Sequence, residues 1–185
     1  MERLALYNKK GMTLIEVMIS FLLLAVVALA ETAGGIQWTA PTGWKALGQR
    51  PMRTATYVVP AAASDKEAGE CAVFYFGAGQ GGTVQANVDR WVAQFEQPDG
   101  RASKALAKTQ KRTVGGLAVT TIDLTGTYTG AGGPMGPKVT KPGYRLLGGI
   151  VEAPEGPVFF KFTGPAKTVA ANEAVFQKLL GSVKR

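Results

Sequence analysis

Reactive side chains are scarce in this sequence. It holds no histidine, a single cysteine, Cys71, and four serines, Ser20, Ser64, Ser103 and Ser182. A Ser-His-Asp triad needs an imidazole to take the serine proton, so that chemistry is excluded. None of the serines sits in a G-x-S-x-G turn. Zinc sites of the common type draw on histidine and cysteine, and that ligand set is missing too. Cys71 lies inside an apolar run and reads as a buried, inert thiol; without a second cysteine an intramolecular disulfide is excluded. Carboxylates remain. Two of Asp89, Glu96, Asp123 and Glu152 would have to flank a scissile bond to run acid–base chemistry, and nothing in the sequence brings a pair together. No catalytic residue, metal site or cofactor is expected; an enzyme built on a carboxylate pair is the alternative.

Two stretches carry binding patterns. Gly77-x-Gly79-x-x-Gly82 follows an apolar run and opens a helical one, as a dinucleotide fingerprint does. The apolar parallel strand needed after the helix is absent. The acidic residue expected about 20 positions on falls near Glu96 or Asp99, at a helix end and a turn. The stretch therefore reads as a glycine-rich linker. Its amides at Gly79, Gly81, Gly82 and Thr83 form a candidate anion site at a helix N-terminus. The second stretch runs over residues 129–142, with four glycines and three prolines. Long loops of this kind are functional or disordered. Tyr128, Tyr144 and Arg145 at its ends form a candidate rim for an extended or anionic partner; a plain connecting loop is the alternative.

The elements that position these groups follow from periodicity. Residues 36–38, 52–59, 71–76, 117–128, 144–152 and 158–163 read as strands, rich in Val, Ile, Thr, Tyr and Phe. Residues 104–114 are basic and threonine-containing, an edge strand whose lysines discourage pairing with another chain. Val84, Val88, Trp91, Val92 and Phe95 share one helical face, with Thr83 as N-cap. Thr168 caps a second helix carrying Val169, Asn172, Phe176, Leu179, Leu180 and Val183. Short turns between strands imply antiparallel pairing. The expected fold is α+β: an antiparallel sheet of roughly six or seven strands covered by two amphipathic helices, preceded by an N-terminal hydrophobic helix.

That N-terminal stretch sets the address. Lys9 and Lys10 precede an almost unbroken apolar run over residues 17–30. The run is about 14 residues, short of the roughly 20 of a membrane span. Ala28-Leu29-Ala30 before Glu31 forms a small-residue site for signal peptidase. Gly11-Met12-Thr13-Leu14-Ile15-Glu16-Val17 resembles a type IV prepilin leader. That resemblance implies cleavage after Gly11, methylation of Met12, and pairing of Glu16 with a neighbouring subunit in the membrane. Met12 stands where that family usually has phenylalanine. A pilin's first helix continues as a long spine, whereas Gly34-Gly35 and Pro41 predict a break near Gly34. The domains expected are a leader, 1–30, and a single exported domain, 31–185, in the periplasm or cell envelope; anchorage through residues 12–30 stays open.

Without the first 30 residues, 18 basic and 11 acidic residues remain, a net charge of +7. This suits a protein or an anionic envelope partner, with the inner membrane contacted through the leader before processing; nucleic acid is not expected. The exported part also resembles the PsbP-like fold. The features that carry this are Trp38 and Pro41, the W-x-x-x-F of Trp91 and Phe95, Phe159-x-Lys161-x-x-Gly164-Pro165, and Phe176-x-x-Leu179-Leu180-x-Ser182. The resemblance implies a non-catalytic binding or accessory domain; a pilin-like or pseudopilin component is the rival reading.

Overall fold

The computed structural model describes residues 30–47, 50, 52–130 and 138–185. Gly11, Met12, Glu16 and Ala28, and the expected hydrophobic helix, lie outside the described residues; Ala30 is inside them.

Ten strands are described. β1 (Ala30–Ala33) and β2 (Ile36–Thr39) form a separate hairpin. β3 (Lys45–Leu47), β4 (Ala55–Val59), β5 (Gly69–Tyr75), β6 (Phe95–Glu96), β7 (Lys108–Val114), β8 (Leu117–Tyr128), β9 (Lys141–Val151) and β10 (Val158–Pro165) make one eight-stranded sheet. Its order is β3-β4-β5-β10-β9-β8-β6, with β7 also on β8, and every pairing is antiparallel. The surplus over six or seven strands comes from β1, β3 and β6, of four, three and two residues, too short to show a period.

The helices are α1 (Val84–Val92), α2 (Ser103–Leu106), α3 (Ala166–Ala171) and α4 (Glu173–Gly181). Strand alternation sends Val158, Phe160 and Phe162 to one face, where they meet Phe176, Leu179 and Leu180 of α4 with Ile36 and Trp38 of the hairpin. Phe159 goes to the other face, where it joins Val88, Trp91 and Val92 of α1. The α+β fold expected is therefore present, with its helices split between two faces.

Several local expectations are corrected. Phe95 leaves the helix; α1 stops at Val92, and Phe95 pairs with Tyr128 in β6. The final helix is two. Asn172 breaks it, donating to the Thr168 carbonyl and accepting from Trp44 Nε1 at 3.0 Å. Thr168 is not a cap but a buried residue inside α3. The Asp65 carboxylate takes both its N–H and its hydroxyl, at 2.8 and 2.7 Å, and so satisfies an orphan amide of the first turn from a distant loop. Residues 103–106 are a helical turn, and the exposed strand begins at Lys108. Gly34 and Gly35 form the β1–β2 turn at φ 60° and 76°. The chain is already extended from Ala30 to Ala33, so no helix enters this turn.

Candidate functional site

α1 covers only part of its face of the sheet. It crosses at β9, where Gly148 makes room: a Cβ there would lie 2.5 Å from the Trp91 ring. Beside the helix a cavity of about 740 Å³ stays open. Its floor is β5 and β10, through Ala72, Phe74, Phe159 and Lys161. One wall is α1, through Arg90 and Trp91, with Gln94 of the turn that follows it; Met52 and Arg53 also line it. Tyr128 and Tyr144 line it too, their rings stacked 6.1 Å apart at 15°.

Lys161 is the residue around which the groove is arranged. It stands on the floor between Phe159 and Thr163, its neighbours on the groove face of β10. Its ammonium donates to Gln94 Oε1 and lies 5.3 Å from the centre of the Tyr128 ring. Burial costs the charged form more than the neutral one. Desolvation accordingly lowers its pKa to about 8, with Glu70 opposing and Arg53 and Arg90 adding to the shift.

The other charges are arranged in pairs. Arg53 Nη1 lies 2.9 Å from Glu70 Oε1, and its guanidinium sits 5.7 Å from the centre of the Phe74 ring. Lys141 and the Tyr144 hydroxyl both donate to Glu67 Oε2, at 2.5 and 2.6 Å. Those two bonds hold the Glu67 carboxyl below its usual range; burial, followed by the same glutamate, raises the Tyr144 phenol. Arg90 donates to Asn87 Oδ1, and Asn87 Nδ2 donates to the Gly81 and Thr83 carbonyls. The glycine loop is thus tied to a groove wall through a buried asparagine.

The glycines named from the sequence occupy backbone that favours glycine, with Gly79, Gly81 and Gly82 at φ 69°, 88° and 75°. Thr83 caps α1, its hydroxyl accepting from the Ala86 amide at 3.2 Å. Of the three rim residues, Tyr128 and Tyr144 come together in the groove. Arg145 does not join them. It follows Tyr144 on β9, so strand alternation points it to the opposite face. There it holds Asp123 through two bonds of 2.8 Å and Glu173 at 2.9 Å.

The four carboxylates considered for catalysis are dispersed. Asp89 pairs with Lys104 and Asp123 with Arg145, while Glu96 and Glu152 lie in β6 and just past β9. Cys71 is buried, and burial pushes its thiol up. Among the described residues no group of three His, Cys, Asp or Glu stands ready for a metal ion.

Residues 6–30 match the prokaryotic N-terminal methylation motif. The match marks a prepilin-type leader, which implies export and processing at the membrane. Among the described residues no helix is long and apolar enough to cross a membrane. No curated protein matches the chain. Among solved structures it is similar to cyanobacterial PsbP (CyanoP) from Synechocystis sp. PCC 6803, with a TM-score of 0.48 and 12% identity over 86% of this chain and 95% of that one. It is also similar to PA94 from Pseudomonas aeruginosa, a protein of unknown function titled a putative regulator, with a TM-score of 0.46 and 9% identity over 83% and 94%.

Arg53, Glu70, Arg90, Gln94 and Lys161 were not singled out as site residues from the sequence. One signal was present: Lys161 is the one charge in the run V-F-F-K-F-T, set between phenylalanines. A charge pointing into such a strand face costs free energy and calls for a reason.

Proposed function

We propose that this chain is an exported, non-enzymatic binding domain of the cell envelope, with the groove beside α1 as its binding site. Residues 1–30 serve as the leader and 31–185 as the working domain. The observation that carries the reading is a lysine set in the floor of a concave, aromatic-lined cavity. Ligand sites are typically concave and apolar with a few convergent polar groups, and this groove has that composition. The test uses N-phenyl-1-naphthylamine, an uncharged probe that fluoresces in apolar sites. The expected result is uptake at one site per chain, lost in large part in Phe76→Asp. Absence of uptake by the folded wild-type protein overturns the reading.

A second reading is favoured by the matched leader motif: a pilin-like component processed after Gly11. Intact mass and N-terminal sequence of the protein from its host separate the two. A methylated Met12 start assigns it to the prepilin machinery. A Glu31 start gives a released domain and ends the filament reading.

A further inference from the structure

We infer that the groove holds a single amphiphilic organic anion, its carboxylate or phosphate head on Lys161 and Arg90 and its apolar body along Phe74, Phe76 and Phe159. The inference rests on the groove being a binding site, as proposed above, and adds the chemistry of its ligand.

The charges around the groove do not balance. Arg53 is matched by Glu70 and Lys141 by Glu67. Among the described residues, the side chains bonded to Arg90 and Lys161 are neutral carboxamides, those of Asn87 and Gln94. Two cations thus face one cavity with amide oxygens in place of anions. An anionic oxygen makes a bond roughly twice as strong as a neutral one, so an anionic head displaces Gln94 from Lys161 at a net gain.

The apolar part of the ligand is indicated by a separate observation. Among the described residues Met52 and Phe76 are the exposed large hydrophobic side chains, at 61% and 36%, and both line this groove. Phe76 continues an aromatic row, 6.1 Å from Phe74 and 5.7 Å from Phe159. Met52 stands at φ 62°, the one positive-φ residue that is not glycine among those described. Such backbone strain is concentrated at functional sites. A volume of about 740 Å³ accommodates a drug-sized molecule. Polar ligands such as sugars would leave hydroxyls unbonded against the phenylalanines.

The groups facing Lys161 are Glu70 from β5, Arg53 before β4, Arg90 from α1, Gln94 from the turn after α1, and the Tyr128 ring from β8. An anionic head held by Lys161 favours its protonated form. For a carboxylate head, affinity is therefore level from about pH 6 to 8 and falls by up to about tenfold per pH unit above that, as the free lysine loses its proton.

The test displaces bound N-phenyl-1-naphthylamine from the mature protein with dodecanoate, dodecyl phosphate and uncharged dodecanol, each below its micelle concentration. At least one anion is expected to act at about tenfold lower concentration than dodecanol, the size of one charge-assisted contact. Which anion does so identifies the head. Lys161→Met and, independently, Arg90→Gln are expected to reduce that preference to about threefold or less, with dodecanol unchanged. Dodecanoate is expected to weaken between pH 7.5 and about 9.5. Equal potency of dodecanol and both anions on the wild-type protein overturns the ligand class while the groove reading stands. A preference that survives both substitutions overturns the assignment of the head. No uptake of the probe at all overturns the groove reading as well.

Discussion

Lys161 works against the fold that holds it. Its pKa in the native protein is about 8, below the 10.5 of a free lysine. The unfolded chain therefore binds the proton more tightly, and the folded state bears a penalty that is complete below pH 8 and fades as pH rises towards 10.5. Lys161→Met removes the charge and keeps the volume. We expect the variant to be more stable by about 1–3 kcal/mol at pH 7, with the gain shrinking towards pH 10. Urea unfolding of both proteins at pH 7 and 9.5 checks this; equal stability at both pH values shows that the ammonium is well solvated. Above pH 10 the raised Tyr144 phenol acts in the opposite sense, because its folded form holds a proton that the unfolded form gives up. The buried Cys71 thiol, also raised, opposes in the same way from about pH 9, so the expected rise in stability is confined to roughly pH 8–9.

At the scale of elements, β9 is the hinge of the packing. Gly148 and Gly149 are successive residues of one strand and so face opposite sides. A Cβ at Gly148 would meet Trp91 at 2.5 Å, and one at Gly149 would meet Leu180 at 2.6 Å. Two missing side chains let α1 and α4 approach the same strand from either side. Gly148→Val is expected to lower stability by about 2–4 kcal/mol through overpacking against Trp91 and Ile122, read from the shift in denaturant midpoint at unchanged slope. This also explains what was legible beforehand. The alternation of β8 and the α1 stripe of Val88 and Trp91 show as periods in the sequence, and β7, β9 and β10 show by composition. The groove does not. Residues 53, 70, 90 and 161 meet through the pairings β4–β5 and β5–β10 and the crossing of α1, and such long-range register has no local signature. Tyr128 and Tyr144 were visible because they bracket a glycine- and proline-rich loop. Arg145, their neighbour in sequence, was misplaced because alternation along a strand separates adjacent residues by the whole thickness of the sheet.

For the molecule as a whole, the β1–β2 hairpin and the C-terminus are stitched together. Gln37 and Lys184 exchange two backbone hydrogen bonds of 2.8 and 3.1 Å, Ser182 accepts from the Thr39 amide, and Val183 is buried beside them. Removing residues 182–185 is expected to lower the melting temperature by roughly 5–10 °C, because the β1–β2 hairpin loses its partner and Trp38 its cover. Calorimetry of the shortened protein decides it; an unchanged melting point shows that the hairpin holds by Trp38 and Ile36 alone. This stitch lies on the α4 side of the sheet, the groove on the α1 side. Front and back of the sheet are thereby given separate tasks: whatever enters the groove meets none of the residues that close the fold, so a change at one side leaves the other undisturbed.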